Sequence, residues 1–123
     1  LNKHKFVDSK IGQPPKTTPK ETAIFLEKIY QGELTKGENT QKILELLIKQ
    51  QLNEGLPKYL PPQARVAHKT GDIGWFKHDA GIVFLEKGDY IIVVMSESDS
   101  PLGAQETIAQ ISKAVYEYFT GVK

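Results

Sequence analysis

The sequence has 123 residues, the length of one ordinary domain, of which 39% are hydrophobic and 25% are charged. These proportions are typical of a folded globular chain and exclude a disordered or coiled-coil protein. Sixteen Lys and Arg residues against fifteen Asp and Glu residues leave a net charge of +1, which argues against nucleic acid as a partner because phosphate binding needs a positive field.

The first sixty residues predict a loop followed by two amphipathic helices. Glycine and proline interrupt residues 7–17, which predicts a loop there. The first helix begins with a capping box at Thr18-Pro19-Lys20-Glu21 and ends at Gly32. A second capping box at Thr35-Lys36-Gly37-Glu38 predicts the second helix, and we expect Gly55 to be the left-handed residue just past its end.

After a pair of prolines at positions 61 and 62 the hydrophobic period changes from helical spacing to two, which predicts strands. The first strand is expected over Ala64–Lys69, followed by a loop at Gly71 and Gly74. A second strand is expected over Ala80–Glu86 and a third over Tyr90–Ser96. Because the connection between the last two strands is short, they must pair in antiparallel fashion.

A polar loop over Ser96–Gly103 precedes the last predicted helix. The order of elements, two helices, three strands and one helix, predicts an α+β fold with an antiparallel sheet. We expect residues 1–60 to form a helical part, and residues 61–123 to form the strands and the last helix of the same unit. The apolar side of that last helix is predicted to carry Ile108, Ile111, Val115, Tyr118 and Phe119.

The segment most suggestive of chemistry is His68-Lys69-Thr70-Gly71-Asp72-Ile73-Gly74. It places a cation and a hydroxyl at the end of a strand, and glycines that let a ligand approach the backbone. At a twisted strand end Lys69 and Thr70 can border one groove, where they would suit a carboxylate, with nearby amides free for an oxyanion. The alternative is coincidence, since Lys-Thr-Gly is a short and common string.

The absence of cysteine excludes disulfides, cysteine-bound zinc and a thiol nucleophile. The longest apolar run, Tyr90–Met95, is too short to cross a bilayer. His4, His68 and His78 lack metal-binding spacing. We therefore expect structural or solvated histidines, with His68 and His78 flanking the groove, and no metal. Trp75-Phe76 is expected to be a packing lid rather than a substrate platform.

Several of these features together resemble the C-terminal part of class A β-lactamases, in the serine β-lactamase and penicillin-binding superfamily. Lys69-Thr70-Gly71 is followed by a hairpin and a terminal helix, and Thr17-Thr18-Pro19 opens a helix upstream. The paired helices between residues 31 and 51, and His78-Asp79-Ala80-Gly81-Ile82-Val83, are also similar to that family. The likeness extends from about residue 1 to residue 120.

The resemblance implies a five-stranded sheet, three strands of which lie in this chain, and hydrolysis of β-lactams or D-Ala-D-Ala-type amides through an acyl-enzyme. Lys69 would supply positive potential and support proton relay, and Thr70 would hydrogen-bond the substrate carboxylate. Gly71 and Asp72 would complete the substrate-binding strand, with the Asp72 backbone N–H as half of the oxyanion hole. No cofactor is implied. The family also implies an extracellular or cell-envelope location and a link to antibiotic resistance.

The departures from the family pattern concern catalysis. None of the five serines has a lysine three residues later, so the Ser-x-x-Lys nucleophile motif is absent. Ser98-Asp99-Ser100 lies downstream of Lys69, whereas the family's second element lies upstream. Phe6–Thr17 contains no glutamate to activate a deacylating water, which favours slow deacylation as in penicillin-binding proteins. We therefore expect the C-terminal portion of a larger enzyme, inactive alone; the alternative is a non-catalytic binding or interaction module.

The strand predicted at Tyr90–Ser96 also implies a partner. In the resembled fold it is flanked by strands of the N-terminal part, and between Tyr90 and Met95 it has no charge, proline or glycine to protect an edge. We therefore expect it to pair with a missing N-terminal half or with a second copy of the chain.

Overall fold

The computed structural model describes residues 16–122, so the expectations for His4 and for most of the 7–17 loop lie outside the described residues. Two helices, α1 (Pro19–Tyr30) and α2 (Gly37–Ile48), precede three strands, and one long helix, α3 (Pro101–Thr120), follows them. The strands β1 (Arg65–Ile73), β2 (Phe76–Phe84) and β3 (Tyr90–Glu97) form an antiparallel sheet in the order β1-β2-β3. The predicted α+β fold is confirmed. No helix within residues 16–122 is long and apolar enough to span a membrane.

The sheet is covered on both faces, because successive side chains along each strand point in opposite directions. One set of buried side chains packs with Ile108 of α3, and the alternate set packs with Leu26 of α1 and Leu44 of α2. Each strand therefore has two apolar faces rather than one. The α3 side receives Val66, Val83, Tyr90 and Ile92, and the other side receives Ala67, Ile82, Ile91 and Val93.

The start of α1 has the predicted capping box. The Thr18 hydroxyl accepts a hydrogen bond from the Glu21 amide at 3.1 Å, and the Glu21 carboxylate accepts one from the Thr18 amide at 3.1 Å. Gly32, just past the end of the helix, has a φ of +73°, which a glycine adopts without strain. The predicted beginning and end of this helix are both confirmed.

The predicted ends of the second helix are wrong. Its N-cap is Lys36, which makes no side-chain capping bond, and Thr35 lies one residue too early to cap. The Thr35 carbonyl instead accepts a hydrogen bond from the Thr40 hydroxyl at 3.3 Å. The helix ends at Ile48, and Gly55 has no left-handed φ. Gly55 is required for space, since a Cβ there would lie 2.5 Å from the Asp79 carboxylate.

The hairpin between β1 and β2 is tighter than predicted. Gly71 lies inside β1 rather than in a loop, and Ile73 pairs directly with Phe76 across a two-residue turn. Gly74 in that turn has a φ of +57°. The strands extend because the pairing of Gly71 with His78 and of Asp72 with Lys77 continues the ladder to the turn. The predicted end of the first strand, Lys69, and the predicted start of the second, Ala80, are therefore wrong, and β2 also ends at Phe84 rather than at Glu86.

The last helix begins earlier than predicted and buries a different face. It starts at Pro101 and includes Gly103, which the sequence had placed in the loop. Tyr118 is 81% exposed, and Ile111 is 40% exposed. Positions 108, 112 and 119 lie on one stripe at helical spacing, whereas position 118 falls well to one side of it. The buried residues are Ala104, Ile108, Ala109 and Ser112.

Replacing Gly81 by Ala should destabilise the protein. A Cβ at this position would lie 2.7 Å from the Ala67 carbonyl oxygen and 2.8 Å from the His68 Cβ, so β1 and β2 would have to move apart. We expect a loss of about 1–3 kcal/mol in the free energy of unfolding, measured in urea. Gly37→Ala is the matched control, because nothing lies within 4 Å of its Cβ position, and it should not destabilise. Equal effects of the two changes would contradict the packing of Gly81.

Candidate active site

Lys69, Thr70, Gly71 and Asp72 lie together in the second half of β1. Since β1 is the first strand in the sheet order, it pairs only with β2 among the described residues. Its other edge therefore presents backbone N–H and C=O groups to a ligand. A ligand can form hydrogen bonds with these groups in the same way that an additional strand would. The sequence placed the candidate site at the end of this strand.

The structure brings Thr70, Gly71 and Asp72 to one cavity and places Lys69 apart from it. The cavity has a volume of about 100 Å³ and lies between the β1–β2 hairpin and α3. Lys69, the neighbour of Thr70 on an alternating strand, is exposed and is not among the residues that line it. The Lys69 ammonium instead donates a hydrogen bond to the Thr70 carbonyl at 2.5 Å.

Lys77 is a cation at this cavity that the sequence interpretation missed. Its side chain is only 13% exposed and forms an ion pair with the Asp72 carboxylate, which is 57% exposed. The two residues are cross-strand partners. The sequence contained the information needed to pair Lys77 with Asp72, because a two-residue turn at Gly74-Trp75 necessarily places residue 77 opposite residue 72.

A buried polar cluster lies directly behind the site. His68, 1% exposed, has its Nδ1 2.8 Å from Asp79 Oδ1 and its Nε2 3.0 Å from Asn53 Oδ1. The second carboxylate oxygen of Asp79 accepts a hydrogen bond from the Leu56 amide at 2.9 Å. The cluster therefore joins β1, β2 and the 49–64 segment at the residue that precedes Lys69.

The hydrogen bonds of this cluster fix its protons. Asn53 donates its amide nitrogen to the Gln50 carbonyl at 3.1 Å, so its Oδ1 faces His68. Nε2 of His68 must then carry a hydrogen and donate it. One further proton is shared between Nδ1 and Asp79, because two bare acceptors 2.8 Å apart would repel. The role of His68 in this structure is structural, as the sequence suggested.

The 49–64 segment is held in place by α3. Lys58 and Tyr59 both donate to the Glu106 carboxylate, at 2.7 and 2.6 Å. Hydrogen bonds from Lys58, then Tyr59, then Gln110 lower the pKa of Glu106 to about 2, so it stays ionised. Deeper in the molecule, the Ser112 hydroxyl donates to the Leu56 carbonyl at 2.7 Å.

His78 also borders this cavity, close to the turn of the hairpin. The half-buried His78 ring packs against Gly71, where an added Cβ would be 3.4 Å from it. Its Nδ1 lies 3.1 Å from the Ser96 amide, while the Ser96 hydroxyl donates to the Lys77 carbonyl at 2.8 Å. Trp75 is 59% exposed and Phe76 is 44% exposed, so the predicted packing lid is wrong.

No group of three His, Asp or Glu residues in the described part of the chain could hold a metal ion. This arrangement offers a strand edge that is unpaired within residues 16–122, together with a hydroxyl and two ammonium groups. Such groups bind and polarise a polar ligand, particularly one that carries a carboxylate.

Removal of the Asp79 carboxylate should destabilise the fold, but its conversion to an amide should not. Asp79→Ala leaves the Leu56 amide and His68 Nδ1 buried without partners, and we expect a loss of about 3–5 kcal/mol. Asp79→Asn can accept from Leu56 and donate to Nδ1 of a neutral imidazole, so most of the stability should remain. Urea unfolding measures both, with the exposed Glu86→Ala as a control expected within about 0.5 kcal/mol of the parent. Equal losses for Asn and Ala would contradict this proton assignment.

Comparison with known proteins agrees with the predicted resemblance. Residues 1–119 match the model of the Beta-lactamase enzyme family. No curated protein matches the chain significantly. Among solved structures, that of PBP-A is 30% identical with a TM-score of 0.81, covering 96% of this chain and 50% of that one. A mutant of PBP-A with the same values is described as an acyl-enzyme complex with penicillin G.

Two β-lactamase structures are also similar. The TLA-1 extended spectrum β-lactamase is 30% identical with a TM-score of 0.75, covering 87% of this chain and 42% of that one. The β-lactamase from Sphaerobacter thermophilus has a TM-score of 0.79 at 24% identity, with the same coverage, and so supports the fold alone. The chain thus spans about half the length of the solved structures that it matches. With 119 of its residues matched by the family model, the chain belongs to the β-lactamase enzyme family.

Proposed function

We propose that this chain supplies the Lys69-Thr70-Gly71 strand to the active site of a β-lactamase-like serine hydrolase. The observation that carries the proposal is the position of this motif on the free edge of β1, with Thr70 and Asp72 bordering one cavity. The proposed substrates are β-lactams or D-Ala-D-Ala-type amides. An extracellular or cell-envelope location, which the family resemblance implies, is part of the proposal.

Each residue of the motif has a proposed role. Within residues 16–122 no group hydrogen-bonds the Thr70 hydroxyl, which leaves it able to donate to a substrate carboxylate. Lys69 adds positive potential at the strand edge and supports proton transfer. Gly71 has no side chain to block the approach of a ligand, and the Asp72 backbone N–H would stabilise an oxyanion.

The proposed substrate class rests on the PBP-A likeness. A mutant of that protein, 30% identical to this chain over half its own length, is described as an acyl-enzyme with penicillin G. Because the aligned half includes Lys69-Thr70-Gly71, the same strand in this chain is proposed to contact a β-lactam.

The 123 residues contain no Ser-x-x-Lys motif, so we propose that they cannot form an acyl-enzyme unaided. That same absence favours the alternative function, a non-catalytic module that binds a ligand or a partner. Evidence that a Ser-x-x-Lys element acts together with this chain would support the enzymatic function over this alternative.

Titration with benzylpenicillin tests the proposal. We expect the amide signals of Lys69–Asp72 in NMR spectra to shift saturably, while the intact mass of the protein stays unchanged. Lys69→Ala should weaken binding about tenfold or more, the effect of losing one hydrogen bond to a charged group. Lys87→Ala, in the exposed β2–β3 connection, should leave the affinity unchanged. A stoichiometric covalent adduct would refute the prediction that the chain cannot be acylated, and equal affinities of the two variants would refute the role of Lys69.

In a protein that also supplies Ser-x-x-Lys, Lys69→Ala should slow acylation by about a hundredfold, the scale of losing one preorganised polar group. Stopped-flow acylation with benzylpenicillin measures this rate. Unchanged kinetics would make Lys69-Thr70-Gly71 a coincidence.

We further propose that the outer edge of β3 pairs with another strand. Within the described residues β3 pairs only with β2. From Tyr90 to Met95 it carries no charge, proline or glycine. Beside it, Met95 and Ile111 of α3 border an apolar groove. An edge with these properties invites another chain, either the N-terminal part of a β-lactamase-like protein or a second copy.

The isolated chain should therefore self-associate at micromolar concentration. Size-exclusion chromatography with light scattering should give a mass above that of the monomer, rising with concentration. Hydrogen exchange should show protection of the outward amides of β3 in the associated form. A well-folded monomer with all amides of Tyr90–Met95 protected would contradict the proposal.

A further inference from the structure

The ion pair between Lys77 and Asp72 lies at the mouth of the cavity that Thr70 borders. Lys77 is on β2 and Asp72 on β1, directly opposite each other. Lys77 is 13% exposed and Asp72 is 57% exposed, so the ammonium is the more buried member of the pair. The polar end of the cavity is therefore already occupied by a carboxylate that belongs to the chain itself.

Lys77 is the one lysine or arginine among the described residues that line this cavity. The other charged or titratable residues that line it are its partner Asp72, together with Glu54, Asp79 and His78. Asp79 is engaged by His68 and the Leu56 amide. Lys77 is therefore the lysine that an anion entering the cavity would meet.

The remaining polar groups of the cavity suit the same kind of ligand. The Thr70 hydroxyl and the Gln105 side chain of α3 both border it, and neither has a hydrogen-bond partner within residues 16–122. An ammonium beside a hydroxyl donor and an amide is a common arrangement for binding a carboxylate. The Asp72 side chain is itself a carboxylate, and it already forms an ion pair with Lys77.

Two carboxylates cannot share one ammonium at a nearly buried position without repelling each other. A ligand carboxylate that contacts both Thr70 and Lys77 therefore competes with Asp72, whose 57% exposure leaves it room to move toward the solvent. The geometry points to Asp72 as an internal competitor: its side chain occupies Lys77 and lowers the affinity of the Thr70 cavity for carboxylate ligands. This inference rests on the proposed function, since it concerns the carboxylate of the same substrates.

Binding measured by NMR titration of the 123-residue chain tests the competition. We compare the parent with Asp72→Asn, Lys77→Met and the double variant, using benzylpenicillin, its methyl ester and benzoate. Asp72→Asn should bind benzylpenicillin and benzoate about three- to tenfold more tightly, the scale of releasing one partly exposed ion pair. The gain should vanish for the methyl ester, which has no carboxylate, and in the Lys77→Met background.

Glu54→Gln is the matched control. It removes the same charge beside the same cavity, but Glu54 lies 3.9 Å from Lys58 and is not paired with Lys77. It should change the affinity less than twofold if Asp72 competes through direct contact. An equal gain from both variants would show a general effect of charge and would overturn the inference.

The remaining outcomes separate this inference from the proposed function. If benzoate binding responds to Asp72→Asn but no variant binds benzylpenicillin or its ester, the internal competitor stands and the proposed substrate fails. If benzylpenicillin binds and Asp72→Asn has no effect, the competitor fails and the proposed function stands. A gain that persists with the methyl ester or with Lys77→Met, or no response of Asp72→Asn to any carboxylate, overturns the inference.

Discussion

The contact between His68 and Asp79 is the interaction on which the described structure most depends. It is buried, 2.8 Å long, and joins the two strands that frame the site. Asp79 also holds the Leu56 amide, and His68 holds Asn53, so the irregular 49–64 segment takes its position from this one pair. A buried polar cluster stabilises a fold only when every polar group in it has a hydrogen-bond partner. In this cluster each donor is paired with an acceptor.

This contact explains the constraints on neighbouring glycines and on the site. Gly81 is needed because its Cβ would strike His68, and Gly55 because its Cβ would strike the Asp79 carboxylate. His68 immediately precedes Lys69, and Asp79 pairs with Thr70 across the sheet. The hydrogen bonds of His68 and Asp79 therefore hold the candidate motif in position. A preorganised site keeps its geometry in this way before a ligand binds.

The sequence predicted those features that depend on local chemistry. The capping box at Thr18 and the end of the first helix at Gly32 were correct because each depends only on neighbouring residues. The sequence singled out Lys69-Thr70-Gly71 as a motif but ended the strand at Lys69, whereas β1 continues to Ile73. By contrast, Gly55 was misassigned because its requirement comes from Asp79, 24 positions away, which local patterns do not contain. Lys77 was missed for a related reason: its importance follows from the register, and the loop predicted at Gly71 hid that register.

The two edges of the sheet differ in the charge of their residues, which favours a small polar ligand at the β1 edge and another strand at the β3 edge. The β1 edge carries Lys69 and Asp72, and charged side chains on an edge discourage pairing with another strand while leaving the backbone accessible to a small polar ligand. The β3 edge has no charge from Tyr90 to Met95 and adjoins an apolar groove, so it lacks any such protection. A sheet with one protected and one unprotected edge is suited to bind a ligand at the first and a strand at the second. This asymmetry agrees with a proposed substrate-binding strand at one edge and a proposed site of assembly at the other.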